Sequence, residues 1–317
     1  MPNLYKSNQE NEAMLNLLKA MVAITSLIAL TACANSNSKG QPEAQPDTKA
    51  EIVALLQQKS SAQLKLYVLD CGTVQARDLS LFNPKVDKGV HMDMAVPCYV
   101  IVHPDKGSLV WDAGLSDNFA SVEQGVEIYQ GAFNLIVKKT MLSQLQEIGL
   151  ATDDVTYFAP SHLHLDHSGN ANYFANSTLL MQKIEYDIAF SDEAKNYDFD
   201  INNYSALKDS THIKLQGNYD VFGDGSVVIL STPGHSPGHQ SLYVKLKETG
   251  PVILSGDLFH FEKNRKDYGI PVWNDKKLTI RSFAKIDSII DQTSAKLWIQ
   301  HDPEEARAVR MSPGFYN

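Results

Sequence analysis

Short apolar runs, separated by polar or glycine-rich segments, recur along the chain beyond residue 60. Runs of this length, bounded by turn-forming residues, predict buried β-strands. They cover 64–69, 98–103, 108–111, 155–159, 227–230, 252–254 and 297–299. The segment Pro-Asp-Lys-Gly at 104–107 lies between two of these runs and predicts the turn of a β-hairpin.

The helical signals are fewer. Apolar residues recur at helical spacing over 133–148 and 276–290, and a short helix is predicted over 51–59. The segment 72–97 is rich in Gly, Asp and Pro and predicts one long loop, of the kind that is usually functional or mobile. The polar segment 191–211 predicts an exposed insertion. The pattern alone therefore indicates only a mixed α/β domain.

The N-terminus follows a different pattern. The apolar stretch 20–30 is preceded by Lys19 and has the length of a signal-peptide core, which is too short for a comfortable membrane span. It ends in Leu-Thr-Ala-Cys at Cys33, which resembles the lipobox of bacterial lipoproteins. A plain secretory signal or an N-terminal helix is the alternative.

These features divide the chain into three predicted parts. We expect a lipoprotein signal peptide over 1–32, a flexible tether over 33–50 and one folded domain over 51–317. A lipid anchor on Cys33 would attach the domain to a membrane of the cell envelope. The expected location is the outer membrane or another site facing the periplasm.

Composition and charge limit the classes of partner that the chain is expected to bind. The chain of 317 residues has 43% hydrophobic and 21% charged residues, as an ordinary globular protein does. Its net charge is −9 and no segment concentrates Lys and Arg, so we expect no nucleic-acid partner. Cys71 and Cys98 either pair, as export would allow, or remain buried thiols. The oligomeric state is not readable from these features.

The strongest chemical signal is Ser-His-Leu-His-Leu-Asp-His-Ser-Gly at 161–169, directly after a predicted strand. Alternate side chains of an extended segment point the same way, so His162 and His164 can converge on one ion. Asp166 and His167 lie just beyond them and can reach a second ion. Imidazole and carboxylate groups suit zinc and neighbouring divalent metals.

Three further candidate ligands each follow a predicted strand. His235 lies in Thr-Pro-Gly-His-Ser-Pro-Gly-His, Asp257 in Ser-Gly-Asp and His301 in Gln-His-Asp. Because strand ends are rigid, they can hold side chains as closely as a metal site requires.

In this order, the motifs resemble those of the metallo-β-lactamase superfamily over residues 63–309. The resemblance implies a four-layer αββα sandwich, a hydrolase and two divalent metal ions, with zinc expected first. It also implies how the ligands divide between the ions: His162, His164 and His235 on one, Asp166, His167 and His301 on the other, and Asp257 bridging both.

Within the superfamily, the segments 161–169 and 232–242 resemble those of bacterial N-acyl homoserine lactone lactonases, the quorum-quenching enzymes. This implies a small acyl homoserine lactone substrate, whose ring is opened by a hydroxide held between the ions. Where the archetype of that group has a Tyr three residues after the bridging Asp, this chain has His260. We expect Asp166 and His260 to act in catalysis, with simple packing as the alternative for His260.

Other branches and functions are compared on the same residues. The redox-active diiron branch has Glu at the position of His164, and common zinc β-lactamases have Cys at the position of Asp257. We therefore expect neither redox chemistry nor β-lactam hydrolysis. A phosphotriesterase of the methyl parathion hydrolase type, or another metal-dependent esterase, would use the same motif. A non-catalytic binding lipoprotein is disfavoured because the ligand set is intact.

The remaining histidines and one neighbouring carboxylate receive no ligand role. His239 is expected to be structural because the ligand set is complete without it. Asp302 is expected to support His301 rather than to bind metal. His91, His103 and His212 lack the spacing of ligands.

Overall fold

Two β-sheets pack face to face in this computed structural model, which describes residues 49–317 except 59, 61, 85 and 86. The described strands are β1 (Lys65–Ala76), β2 (Met92–His103), β3 (Gly107–Trp111), β4 (Val126–Ile128), β5 (Phe133–Ile136), β6 (Tyr157–Ala159), β7 (Thr178–Gln182), β8 (His212–Leu215), β9 (Tyr219–Asp220), β10 (Val227–Ser231), β11 (Gln240–Leu246), β12 (Gly250–Leu254), β13 (Lys296–Trp298) and β14 (Phe315–Tyr316).

The larger sheet has the order β4-β5-β1-β2-β3-β6-β7-β8, with β14 beside β1, and the smaller has the order β13-β12-β11-β10-β9. Strands β3, β6, β7 and β8 run parallel to one another, as β12 and β13 do. The other described pairs are antiparallel. The predicted hairpin of β2 and β3 is confirmed.

The described α-helices are α1 (Lys49–Leu56), α2 (Met141–Glu147), α3 (Leu165–Ser168), α4 (Lys183–Ala189), α5 (Ile201–Tyr204), α6 (Glu262–Lys266), α7 (Lys276–Thr293) and α8 (Pro303–Ala308). One apolar core joins the inner faces of the sheets, a second packs α2 and α4 on the larger sheet, and a third packs α1 and α7 on the smaller. The predicted αββα sandwich is confirmed.

Several predictions concern the N-terminus. The predicted signal peptide over 1–32, Cys33 and most of the predicted tether lie outside the described residues. Helix α1 begins two residues earlier than predicted, at Lys49. Within the described part of the chain, no helix is both long and apolar enough to cross a membrane.

The prediction of one loop over 72–97 is wrong. Strand β1 continues to Ala76 through a bulge between Asp70 and Thr73, and β2 begins at Met92. The bulge interrupts the alternation of apolar and polar residues that would otherwise reveal a strand. Beyond it, Val74 pairs with Met94, and both side chains are buried.

The prediction of one helix over 133–148 is also wrong. Residues Phe133–Ile136 form β5, and only Met141–Glu147 is helical. The boundary has a local cause, because the Thr140 hydroxyl caps the helix by accepting the Ser143 N–H. Because the strand is followed closely by an amphipathic helix, the apolar residues of both form one continuous pattern in the sequence, which predicted a single helix.

The segment 191–211 is not simply exposed. Tyr204 and Leu207 are fully buried in the core beneath the larger sheet. The carbonyl of Tyr197 accepts a hydrogen bond from His164 Nε2 at 3.1 Å. This segment therefore forms part of the wall around the candidate ligands.

Cys71 and Cys98 form a disulfide between β1 and β2, with their Cα atoms 5.8 Å apart. The choice left open by the sequence is therefore decided in favour of pairing. A cross-link that closes a loop of this length, 27 residues, contributes about 3.5 kcal/mol to the free energy of unfolding in the chain-entropy account.

Candidate metal centre

The candidate centre lies where the carboxyl ends of strands from both sheets meet. Strand β6 of the larger sheet leads into His162. Strands β10, β12 and β13 of the smaller sheet lead into His235, Asp257 and His301. Ligands that are far apart in the sequence come together because these strands end at the same edge of the sandwich.

The motif at 161–169 changes conformation in its middle. The backbone is extended at His164, and helix α3 then begins at Leu165. The extended part brings His162 and His164 together, while the helical turn directs Asp166 and His167 towards a second position. The single motif thus supplies two neighbouring clusters.

The first cluster, here called the histidine triad, consists of His162, His164 and His235. Their facing atoms are Nε2, Nδ1 and Nε2, separated by 2.8 Å (His162–His164), 3.0 Å (His162–His235) and 2.9 Å (His164–His235). The side chains of His162 and His235 are almost completely buried.

The second cluster, here called the mixed triad, consists of Asp166, His167 and His301. The Oδ2 atom of Asp166 lies 3.7 Å from His167 Nε2 and 3.5 Å from His301 Nε2. Asp257 touches both triads: its Oδ1 is 3.1 Å from His167 Nε2 and 3.0 Å from His301 Nε2, and its Oδ2 is 3.3 Å from His235 Nε2.

The far nitrogens of two rings meet backbone carbonyls. His164 Nε2 donates to Tyr197 O at 3.1 Å, and His301 Nδ1 donates to Ala95 O at 2.6 Å. A ring that donates from one nitrogen leaves the other with a free lone pair. The nitrogens with lone pairs are those that face the two triads, as metal ligation requires.

Asp112 and Ser161 orient two more rings. Asp112 Oδ2 accepts from His167 Nδ1 at 3.0 Å and from Ser161 Oγ at 3.1 Å, and Oδ1 accepts from the Ser161 N–H at 2.5 Å. The Ser161 hydroxyl also lies 3.1 Å from His162 Nδ1. Asp112 is completely buried, so this network connects the histidine triad to the mixed triad through the interior.

The donor sets fit divalent cations. Three imidazole nitrogens within 3.0 Å of one another cannot all be joined by hydrogen bonds, because each is either a donor or an acceptor and at least two of the three must be alike. His167 Nε2 and Asp257 Oδ1 are only 3.1 Å apart, yet both are buried without a hydrogen-bond partner among the described residues. A cation in each triad would satisfy these lone pairs.

Burial governs the protonation of the histidine triad. It holds the pKa of His162 and of His235 well below the usual value, and neighbouring imidazoles lower both further. Burial also lowers the pKa of His164, against the opposing effect of Asp166 and Asp257. These rings are therefore neutral at physiological pH, the state in which imidazole binds metals.

Carboxylates govern the mixed triad. Burial acts to lower the pKa of His167, but Asp257, Asp166 and Asp112 outweigh it and raise the pKa well above the usual value. The pKa of His301 is raised because Asp257 outweighs burial there too. The surrounding imidazoles outweigh the burial of Asp257 and hold the pKa of its carboxyl well below the usual range.

His260 lies beside both triads. Its Nε2 is 3.1 Å from Asp257 Oδ2, and its backbone N–H donates to Asn264 Oδ1. The ring is nearly fully buried, and its Nδ1 has no hydrogen-bond partner in the described part of the chain. His260 therefore has one ring nitrogen directed at the shared carboxylate and one that is unused.

The geometry of His239 agrees with a structural role. Its Nδ1 donates to Thr232 O at 3.0 Å, and its Nε2 accepts the Asp257 N–H at 2.9 Å. Burial lowers the pKa of His239 to about 3, so the ring remains neutral. Gly256 has φ +53°, and a Cβ there would lie 2.8 Å from both His239 and Ser161, so this turn into Asp257 requires glycine.

The other candidates make different contacts. Asp302 caps helix α8 by accepting the N–H groups of Glu304 and Glu305. His103 Nε2 is 3.2 Å from Asp224 Oδ2. His212 stacks on a tyrosine ring, and His91 is exposed. The metal-binding clusters found among the described residues contain none of these four.

Sequence reasoning missed three residues that hold the centre together. They are Asp112, Ser161 and Glu185, all of them fully buried. Asp112 follows a predicted strand directly and Ser161 begins the motif at 161–169, but neither was assigned a role. Glu185 has no such signal, because its position beside the loops depends on the fold.

Comparisons with known proteins agree with this geometry. A sequence model of the metallo-beta-lactamase superfamily matches residues 92–291. Proteins named N-acyl homoserine lactonase AttM from Azorhizobium caulinodans and Rhizobium johnstonii are 28% and 30% identical, and each match covers 80% of this chain and 99% of the relative. A solved N-acyl homoserine lactone hydrolase, with N-hexanoyl-L-homoserine at its catalytic metal centre, has a TM-score of 0.70 at 25% identity. That match covers 81% of this chain and 100% of the other.

Proposed function

Because the chain belongs to the metallo-β-lactamase superfamily, we propose that it is a metal-dependent hydrolase that opens the lactone ring of N-acyl homoserine lactones. The observation that carries the proposal is the convergence of two triads on one carboxylate, Asp257. The relatives support the substrate class, because they bear the name N-acyl homoserine lactonase and match along almost their whole length.

The proposed cofactor is a pair of divalent ions, zinc being the first candidate. The histidine triad with Asp257 would hold one ion, and the mixed triad with Asp257 the other. Nitrogen and oxygen donors in this number suit zinc. When bound, such ions acidify a coordinated water and polarise an ester carbonyl, which is the chemistry that lactone hydrolysis requires.

Two residues of the chain are proposed to act on the substrate. Hydrolysis adds the oxygen of water to the lactone carbonyl and breaks the ring C–O bond, and the released ring oxygen then takes a proton. The side chain of Asp166 is partly exposed, at 17% against 1% for that of His301, so it can reach a bound substrate. His260 is proposed to donate a hydrogen bond to a lactone oxygen through Nε2, the ring nitrogen that lies 3.1 Å from Asp257 Oδ2.

An aromatic wall beside His260 supports an acylated substrate. The ring of Phe82 lies 4.8 Å from that of His260, and the rings of Trp273 and Phe133 lie 5.3 Å and 6.2 Å from Phe82. Phe82 comes from the segment between β1 and β2. Such a wall favours an aliphatic chain by burying its methylene groups.

The test of the function is a hydrolysis panel on one metal-analysed preparation. Catalytic efficiency would be compared for hexanoyl and decanoyl homoserine lactone, a paraoxon-like phosphotriester and an aryl ester. The catalytic efficiency for the lactones is expected to exceed that for the phosphotriester by at least about a hundredfold. A preparation with full metal that prefers the phosphotriester, or hydrolyses neither lactone, would contradict the proposal.

We also propose that the enzyme acts from the cell envelope as a lipoprotein anchored through Cys33. The lipobox-like sequence that ends at Cys33 supports this location. The disulfide between Cys71 and Cys98 adds support, because disulfides persist mainly in oxidising compartments such as the periplasm.

A further inference from the structure

One buried carboxylate near the centre belongs to neither triad. Glu185 lies in the first turn of helix α4, and its side chain is completely buried. Burial raises the pKa of its carboxyl to about 7, against the opposing effect of its hydrogen bonds. A buried carboxylate is costly unless its oxygens accept hydrogen bonds, so its partners indicate its role.

Its partners lie on both ligand loops of the histidine triad. Glu185 Oε1 accepts from the Ser236 hydroxyl at 2.7 Å, and Oε2 accepts from the Gly238 N–H at 2.7 Å. The carboxylate also accepts a backbone hydrogen bond from Leu163. Leu163 stands between His162 and His164, and Ser236 directly follows His235, so one side chain joins the two loops.

The contact between Glu185 and the His235 loop is close. A Cβ at Gly238 would lie 2.5 Å from Glu185 Cβ and 2.8 Å from its backbone nitrogen, so only glycine lets the loop sit against α4. The backbone of the loop therefore rests directly on the residue that accepts its hydrogen bonds.

His235 is the triad member that most needs this support. The far nitrogens of His162 and His164 have partners in Ser161 and Tyr197. In contrast, Nδ1 of His235 is buried without a hydrogen-bond partner within the residues that the structure describes. The orientation of its ring therefore depends on the backbone of its loop.

We propose that Glu185 is the positioning residue of the histidine triad, which it preorganises for metal binding by joining the His162–His164 loop to the His235 loop. This inference rests on the metal centre of the proposed function but not on the identity of the substrate. A side chain that only stabilised the fold would affect both metal ions equally, whereas this role predicts an effect on one.

The test is metal release from the intact, metal-loaded chain to a chromogenic chelator. Glu185→Ala is expected to release one ion at least about tenfold faster and the other at the wild-type rate. Glu185→Gln is expected to release both ions nearly as slowly as wild type. Its amide oxygen can accept the Gly238 N–H, and its NH₂ can donate to the Ser236 hydroxyl.

Asp220 provides a matched control. It accepts the N–H groups of Gly223 and Gly225 at 2.9 Å and 2.7 Å, but on a turn that carries no ligand. Asp220→Ala is expected to lower the melting temperature without changing release of either ion. The proposal is overturned if Glu185→Ala changes the release of both ions equally or, like Asp220→Ala, changes neither. It is also overturned if Glu185→Gln releases the ions as fast as Glu185→Ala does.

A milder variant covers the case in which Glu185→Ala does not fold. Ser236→Ala removes a single hydrogen bond to the carboxylate and should release the same ion faster, whereas an unchanged rate would overturn the proposal. Lactone turnover of the wild type is measured separately. A wild type that holds both ions but hydrolyses no lactone would refute the proposed function and leave the release comparison intact.

Discussion

The histidine triad and the mixed triad face the same carboxylate but are held in different ways. In the mixed triad, His167 and His301 each donate directly to an acceptor, Asp112 Oδ2 and Ala95 O. In the histidine triad, His235 has no such acceptor among the described residues, and its loop is held through Glu185. The comparison shows that a ligand can be fixed by its own ring or by its backbone.

The triads also differ in charge. Three neutral imidazoles form one, whereas the other contains a carboxylate, and its imidazoles have raised pKa values. Asp257 supplies negative charge to both and is the element they share. Variants of the shared residue should therefore affect both sites, and variants of the separate supports should affect one.

The largest effect is expected from the shared residue. Asp257→Asn removes the common negative charge while nearly preserving shape, so both triads should retain metal poorly. We expect lactone turnover to fall by at least about a thousandfold, with the thermal unfolding transition still cooperative. Turnover close to that of wild type with full metal content would mean that another residue joins the triads.

A smaller and selective effect is expected from Asp112→Asn. The amide oxygen can still accept the Ser161 N–H, and the NH₂ group can donate to the Ser161 hydroxyl, but the NH₂ group then faces the Nδ1–H of His167. Metal affinity in the mixed triad should fall about 10- to 100-fold. In the metal-release assay, Asp112→Asn should speed the release of the ion that Glu185→Ala leaves unchanged. Faster release of the same ion in both variants would contradict the comparison.

His260 touches the shared carboxylate without belonging to either triad, so its loss should spare the metal. His260→Ala is expected to cost about tenfold to a thousandfold in catalytic efficiency for lactones at unchanged metal content. His260→Tyr, which introduces the Tyr found at this position in the archetype of the lactonase group, should lose less catalytic efficiency than His260→Ala. Wild-type lactone hydrolysis by the alanine variant would leave His260 with a packing role only.

The smallest effect on the centre is expected from Cys33→Ser. Every proposed ligand lies beyond residue 160, so neither triad should change, and activity per metal-loaded chain should equal that of wild type. What should change is location, from membrane-bound to soluble, as measured by cell fractionation and mass analysis of the mature N-terminus. An unprocessed cytosolic wild type would refute the anchor.

The strands and the candidate ligands were predicted from local patterns, because His162 and His164 are close in sequence and extended, and His235, Asp257 and His301 each follow a strand. The αββα sandwich and the division of the ligands between two ions came instead from the resemblance to the metallo-β-lactamase superfamily. The strand extension past the bulge at Asp70 was not readable, because a bulge breaks the period that reveals strands.

The supports of the triads were harder to predict than the ligands. Glu185 contacts Gly238 across 53 residues of sequence, and Asp112 contacts His167 across 55. Such contacts depend on which strands become neighbours, which no local pattern encodes. Composition also gave no sign of them, because buried acceptors differ from surface carboxylates only in where the fold places them.

The most direct test of the central claim, that two triads share Asp257 and hold two ions, is the metal content of active, undialysed protein. Elemental analysis should give two metal ions per chain in wild type. The same measurement on Asp257→Asn should give clearly less, with lactone turnover falling in parallel. One ion or fewer per chain in fully active wild-type protein would contradict the account.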